Sequence, residues 1–252
     1  MKPNTHTIFT AAAITALSCT CCGKTEAAEG HADVLFGSSN GQLITLSEAT
    51  GSVLQSSVFE AELPASFFTT DPGFNVEADE YPVGFGAPLP NTDITFTITA
   101  ATLAGNTSNL FYWDADGNVN FNPLATGTTL SVLKPTGPGT SLSAVANGSA
   151  NDVAGYAIDT TNNDGGIHKH LQFFMQDDDT AVAAGIYILP LTFSQAGLND
   201  SDTTFLIFAT DGISEEAHEA AAGFVTASIP EPASMMLLAF GAGLATLHRK
   251  RA

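Results

Sequence analysis

The residues best suited to chemistry in this 252-residue chain are imidazole and carboxylate side chains that share one spacing. His168 and His170 are separated by one residue in a run that predicts a strand, so both side chains point to the same face. His31 and Asp33 have the same spacing near the start of the chain's body. Three imidazoles and one carboxylate on neighbouring strands suit Zn²⁺ in tetrahedral geometry. We therefore take these four residues as candidate metal ligands.

A fifth candidate ligand, His218, has weaker support from the sequence. It lies beside Glu215 and Glu219 in a predicted helix, where it serves equally well as a surface residue on a charged face. The pair at 168 and 170 also has a second interpretation, because a His-x-His pattern on an edge strand is more often solvent-exposed than metal-bound. Carboxylates close to a histidine are common in a chain this acidic. Histidines with no metal to bind therefore stay an open alternative.

Composition excludes several classes of function. The chain has 7 Lys and Arg against 26 Asp and Glu, and this net charge of -19 argues against binding nucleic acid or anionic lipid. All 3 Cys lie between Cys19 and Cys22, so neither a disulfide scaffold nor a thiol enzyme is expected. No nucleophile-elbow, Walker-type or dinucleotide motif occurs. We expect no enzymatic activity. A metal hydrolase would need a general base close to the metal, and Glu215, Glu216 or Glu219 could serve only if the predicted helix packs over the site.

The N-terminus is typical of an export signal. Lys2 precedes a short apolar stretch at 8–17, and together they predict a signal peptide over residues 1–28. The apolar stretch is too short to cross a bilayer as a mature helix. Cys19, Cys21 and Cys22 leave lipidation of a cysteine as a minor alternative.

The C-terminus has three parts in a fixed order. Pro230, Glu231 and Pro232 are followed by an apolar stretch at 233–247, and the chain closes with the basic residues Arg249, Lys250 and Arg251. This order resembles the PEP-CTERM sorting signal of bacterial exported proteins. The resemblance implies transient anchoring in the inner membrane through 233–247, recognition by an exosortase, and transfer to the cell surface or extracellular matrix.

Residues 29–226 predict one all-β domain, a β-sandwich of the jelly-roll or Ig-like kind, and residues 227–252 form the linker and sorting signal. The predicted helix starts after Ser214 and ends at Gly223. Turn residues predict hairpin loops at 37–41 and 114–117, the second between strands at 110–113 and 118–121. Other predicted strands cover 33–36, 42–46, 93–99, 128–133, 153–158, 167–175, 185–193 and 203–209.

Three islands resemble a family of PEP-CTERM proteins repressed by the zinc-uptake regulator. They are residues 30–34, residues 167–170, and residues 203–221 with a break at 213. The resemblance implies an exported protein made when zinc is scarce, with His31, Asp33, His168, His170 and, less firmly, His218 as ligands. The chain departs from the family at Lys169, which is unfavourable near a cation, and over the divergent stretch from 60 to 150.

Two hypotheses of different classes follow. The first is a non-catalytic surface protein that binds zinc or a similar metal. The second is a structural or adhesive protein of the extracellular matrix, whose acidic surface interacts with polysaccharide or Ca²⁺ while the histidines are incidental. Geometry separates the two, because a metal site requires the His31/Asp33 segment and the 168/170 pair to lie on neighbouring strands.

Overall fold

The computed structural model describes residues 33–49, 52–76, 81, 83–124, 126–178 and 181–229. The signal peptide, His31 and the sorting residues from Pro230 onward lie outside the described residues. Among the described residues, no helix is both long enough and apolar enough to cross a membrane. The apolar stretch at 233–247 lies outside that search.

Within its described residues the chain is mostly β-strand, with a single α-helix near the end, as the sequence predicts. The strands in chain order are β1 (Val34–Ser39), β2 (Gln42–Ala49), β3 (Ser52–Gln55), β4 (Val58–Leu63), β5 (Phe68–Thr69), β6 (Phe74–Asn75), β7 (Asp93–Ile98), β8 (Ala101–Leu103), β9 (Asn106–Ser108), β10 (Phe111–Trp113), β11 (Asn122–Pro123), β12 (Thr128–Gly137), β13 (Thr140–Ala146), β14 (Val153–Thr160), β15 (His168–Lys169), β16 (Gln172–Asp177), β17 (Ile186–Gln195) and β18 (Thr204–Thr210). The helix α1 covers Glu215–Ser228.

The strands form four hydrogen-bonded sheets. The largest has seven strands in the order β11-β10-β17-β18-β4, with β7 paired to β17 and β14 paired to β7. A five-stranded sheet has the order β15-β6-β1-β2-β3, and a four-stranded sheet has the order β13-β12-β16-β5. The remaining pair is the short hairpin of β8 and β9.

Strands β17 and β18 are buried on both faces because successive side chains along each strand enter two different cores. Leu206 and Phe208 of β18 belong to the core that contacts the other two large sheets, whereas Ile207 belongs to the core beneath α1. Phe193 of β17 packs edge-on against Phe36 of β1, with ring centroids 4.9 Å apart. The strands that carry the candidate ligands therefore join the core on the face of the large sheet opposite to α1.

Among the described residues, the members of these two cores lie between residues 34 and 229. A segment that holds its own hydrophobic core can fold as a unit. The body of the chain is therefore a suitable object for experiments in solution.

Helix α1 begins where the sequence predicts and ends later. The Ser214 side chain accepts a hydrogen bond from the Ala217 backbone N–H, as expected of an N-cap. The prediction that Gly223 ends the helix is wrong, because the helix continues to Ser228. Ala221 and Val225 are buried against the sheet on either side of Gly223, and this packing outweighs the roughly 1 kcal/mol that glycine costs in a helix interior.

Three strand predictions need correction. The predicted strand 167–175 is divided, since β15 pairs with β6 while β16 pairs with β12 in a different sheet. The strand predicted at 118–121 is displaced, because β10 pairs with β11 at Asn122–Pro123. The strand predicted at 128–133 is longer than expected, because β12 continues to Gly137 and the chain returns as β13.

Candidate metal centre

Strand β6 brings the candidate ligands together. It lies between β1, with which it is parallel, and β15, with which it is antiparallel. The prediction that the two ligand segments lie on neighbouring strands is therefore wrong, because they lie at the two strands that flank β6. In the strand register, Phe74 of β6 is paired with Val34 of β1 on one side and with Lys169 of β15 on the other. Asp33 precedes Val34 in the chain, and the two histidines lie on either side of Lys169. These three residues, distant in sequence, are therefore brought together across the row of strands β1, β6 and β15.

The three side chains form a compact ligand group. One ligand atom from each of Asp33, His168 and His170 lies within 4.8 Å of the others. The two imidazole rings meet edge to face, with their centroids 5.1 Å apart. Tetrahedral Zn²⁺ at about 2.1 Å from each ligand needs ligand atoms about 3.4 Å apart. A small side-chain adjustment therefore suffices to close the group on one ion.

Backbone groups of residues 70–73 support two of the three side chains. The Gly73 N–H donates to Asp33 Oδ1 at 3.0 Å, while the Gly73 carbonyl accepts from the Val34 N–H at 2.9 Å. The Thr70 carbonyl oxygen lies 3.1 Å from His170 Nδ1. The carboxylate of Asp71 is 3.8 Å from the same nitrogen. Hydrogen bonds of this kind orient metal ligands in proteins.

Lys169 does not enter the ligand group, although it separates the two histidines in sequence. Its ammonium nitrogen lies 3.7 Å from Asp159 Oδ2. Successive side chains of a strand point to opposite faces, so the lysine and the histidines diverge. The unfavourable cation suggested by the sequence is thus directed away from the group.

His218 lies elsewhere in the fold. Its ring is only 3% exposed, and its Nε2 is 3.2 Å from the Ile207 carbonyl oxygen, beneath α1. Because α1 packs on the opposite face of the large sheet from the core that includes Val34 and Phe74, His218 is not brought to the ligand group. Its role as a ligand stays a prediction that this geometry does not support.

The acidic residues at the start of α1 share that distant position. Hydrogen bonds from its own backbone N–H and from the Ser214 hydroxyl lower the pKa of the Glu216 carboxyl. Glu215 and Glu219 are exposed on the same helix. Acidic residues in the first turn are favoured by the helix dipole, which accounts for Glu215 and Glu216 without a catalytic role.

Sequence reasoning finds Asp33, His168 and His170 and misses the residues that hold them in place. Thr70 and Gly73 act through backbone groups, and Gly73 also through its lack of a side chain. A search for ligand residue types cannot detect either role. The only available signal is the Asp71-Pro72-Gly73 turn sequence, which predicts a loop but not its neighbours. His31 lies outside the described residues, so its membership stays a prediction.

Comparison with known proteins gives one result. A model of the PEP-CTERM protein-sorting motif matches residues 228–251, which include Pro230, Glu231, Pro232 and the basic residues 249–251. No curated protein matches the chain, and no solved structure matches it. The motif is recognised by exosortase. The chain therefore carries a PEP-CTERM sorting signal, which implies an exported protein sorted to the cell surface or the extracellular space.

Proposed function

We propose that this exported protein binds Zn²⁺, or a transition metal of similar preference, through Asp33, His168 and His170, and that it does so without catalysis. The observation that carries the proposal is the convergence of these three ligand atoms to within 4.8 Å of one another. Two imidazoles and a carboxylate are ligands that zinc accepts. The sequence resemblance to zinc-repressed proteins, which includes these same residues, favours the same metal.

Exposure of the ligands favours exchange of the metal over permanent storage. Both histidines are exposed and Asp33 is half-buried. Three protein ligands leave one position of a tetrahedral ion open to water or an incoming ligand, whereas structural zinc sites have four protein ligands. His31, two residues before Asp33, is the fourth ligand that the sequence predicts, and its participation would close this position and slow release of the metal.

A non-catalytic role fits the placement of the acidic helix. Glu215, Glu216 and Glu219 belong to α1, which packs against β4 and β18. The ligand group lies on strands whose core is on the other face of the large sheet. These carboxylates are therefore poor candidates for a general base acting on a metal-bound water.

We further propose that the body is a β-sandwich and that 233–247 anchors the precursor in the inner membrane before sorting. One face of the seven-stranded sheet shares a core with strands of the five-stranded and four-stranded sheets, as face-to-face sheet packing requires. The choice between jelly-roll and Ig-like topology stays a prediction. The apolar stretch before the basic tail supports the membrane step.

Zinc titration of residues 29–229 tests the metal proposal. We expect close to one equivalent of zinc by elemental analysis and calorimetry, lost in the His168→Ala/His170→Ala variant. The matched control is Asp114→Ala/Asp116→Ala, which removes an exposed acidic pair from another loop and should leave binding intact. Zinc no higher than background in the unaltered protein would refute the proposal and favour the matrix-protein hypothesis, with polysaccharide or Ca²⁺ as the ligand.

A further inference from the structure

The ligand group depends on a backbone segment that contributes no ligand of its own. We infer that residues 70–73, called here the support segment, decide which atoms of Asp33 and His170 face a metal, and that Gly73 is the position on which the geometry depends. The assigned metal-facing atoms are Nε2 of His170 and Oδ2 of Asp33. This inference rests on the proposed function and specifies how its site is held.

The assignment for His170 follows from hydrogen-bond chemistry. A carbonyl oxygen can only accept, so the 3.1 Å contact between Nδ1 and the Thr70 carbonyl requires a proton on Nδ1. In a neutral imidazole the other nitrogen, Nε2, then carries the lone pair that a metal needs. The Thr70 carbonyl therefore fixes both the tautomer and the ring orientation.

The assignment for Asp33 follows from the Gly73 N–H. This donor occupies Oδ1 at 3.0 Å, which leaves Oδ2 as the oxygen without that contact. The Gly73 carbonyl also accepts a hydrogen bond from the Val34 N–H. Gly73 therefore holds both the Asp33 side chain and the backbone of the residue that follows it. The carboxylate is thus held in one orientation before any metal arrives.

Gly73 also creates the space in which the ligands meet. The pairings of Phe74 with Val34 and with Lys169 place Gly73 in the middle of the row between Asp33 and His170. Strands two positions apart are about 10 Å apart, so flanking side chains can meet only by reaching over the middle residue. A Cβ at Gly73 would lie 2.6 Å from Asp33 Oδ1 and 2.7 Å from His170 Cε1. Any side chain there would displace both ligands.

Two experiments test the support segment separately from zinc binding itself. The first records the tautomer of His170 in metal-free protein (residues 29–229) by long-range ¹H–¹⁵N NMR at about pH 8.5, where an ordinary histidine is neutral. The His170→Ala spectrum identifies the signal. We expect the Nδ1–H tautomer, and a dominant Nε2–H tautomer would overturn the assignment whether or not zinc binds.

The second experiment compares two glycine-to-alanine variants by zinc titration. Gly73→Ala should weaken zinc binding at least about tenfold, the size of effect typical for residues that orient metal ligands. The matched control is Gly86→Ala beside the other end of β1, where a Cβ would meet nothing closer than Ser38 Oγ at 3.5 Å. Affinity of this control should be unchanged.

The outcomes separate the two proposals. If the unaltered protein binds zinc and Gly73→Ala binds it equally well, the support segment is refuted and the metal site stands. If the unaltered protein binds no zinc, the proposed function fails, and the tautomer experiment still decides the assignment of His170. If Gly73→Ala does not fold, judged by its thermal transition beside that of Gly86→Ala, the tautomer result decides alone.

Discussion

The molecule places histidines in two contrasting regions. At the edge of the five-stranded sheet, His168 and His170 are exposed, contact each other's rings, and lie beside a carboxylate. Beneath α1, His218 is buried and has its Nε2 against the Ile207 carbonyl. The two regions lie on opposite faces of the large sheet.

This contrast teaches that surroundings decide what a histidine can do. A buried ring whose Nε2 lies against a backbone carbonyl contributes to packing and hydrogen bonding inside the fold. Exposed rings that converge with a carboxylate retain lone pairs for a metal at little cost to the fold. The comparison therefore predicts that substitutions at the sheet edge change metal affinity, whereas substitutions beneath α1 change stability.

The largest effect is expected at the sheet edge. His168→Ala/His170→Ala should weaken zinc binding by at least about 100-fold, since two of three ligands are lost. The free energy of unfolding of the metal-free protein should change by less than about 0.5 kcal/mol, because exposed substitutions rarely matter more. Calorimetric titration and urea denaturation measure the two quantities. A large loss of metal-free stability would erase the contrast between the regions.

The converse change is His218→Ala beneath the helix. It removes a buried ring and its contact with Ile207, so the free energy of unfolding should fall by about 2 kcal/mol. Zinc affinity should not change, because the ring is absent from the ligand group. The measurements are urea denaturation without metal and zinc titration of the folded variant. Reduced zinc affinity in a fully folded variant would restore His218 as a ligand.

A subtler change tests the carboxylate as a ligand. Asp33→Asn keeps an oxygen that can accept from the Gly73 N–H, but it removes the negative charge and puts an amide nitrogen in place of Oδ2. We expect zinc affinity to fall about tenfold, equivalent to about 1.4 kcal/mol, with little change in stability. Zinc titration measures it, and Asp114→Asn, which alters an exposed carboxylate in another loop, is the control. Equal affinity of Asp33→Asn and the unaltered protein would remove Asp33 from the ligand set.

The smallest expected effects on stability come from two buried tyrosine hydroxyls that differ in their hydrogen bonding. Tyr187 donates to the Ala183 carbonyl at 2.7 Å, whereas the buried Tyr156 hydroxyl has no hydrogen-bond partner among the described residues. Tyr187→Phe should lower the free energy of unfolding by about 1 kcal/mol, and Tyr156→Phe should leave it unchanged or raise it slightly. Urea denaturation at neutral pH measures both. Equal losses would contradict the distinction.

The same tyrosines should make the free energy of unfolding fall at alkaline pH. Burial raises the pKa of both phenols above the ordinary value of 10.0. Below that value both states are protonated and the full stability is present, while at higher pH the unfolded chain ionises first and stability falls until the folded phenols also ionise. Tyr156→Phe should therefore lose less stability than the unaltered protein between about pH 9 and pH 11.

Local patterns in the sequence predict local structure well. The alternation at 93–99 corresponds to β7, and Asn40-Gly41 forms the turn between β1 and β2. Pro135 misled the prediction of β12, because proline usually ends a strand. It is tolerated there because the pairing of β12 with β16 stops at Leu133, so Pro135 has no partner on that side.

The candidate site is predictable in its ligands and not in its assembly. A spacing of two residues indicates which side chains share a face, and it identifies Asp33 and the histidine pair. The insertion of β6 between β1 and β15 depends on pairings between segments far apart in sequence, which no local pattern encodes. Gly73 is significant only through those neighbours, so its role could not be predicted from the sequence.

Strand β6 is only two residues long, and this brevity has a consequence for how the edge of the sheet opens. Each of its pairings, with β1 and with β15, spans two residue pairs, so few hydrogen bonds oppose a local separation. An ion held by Asp33 on one side and by the histidines on the other would bridge both pairings at once. Amide hydrogen exchange of β6 and β15 should then slow when zinc is added, because the ion would hold these two strands to β1, which is itself already held by five residue pairs with β2.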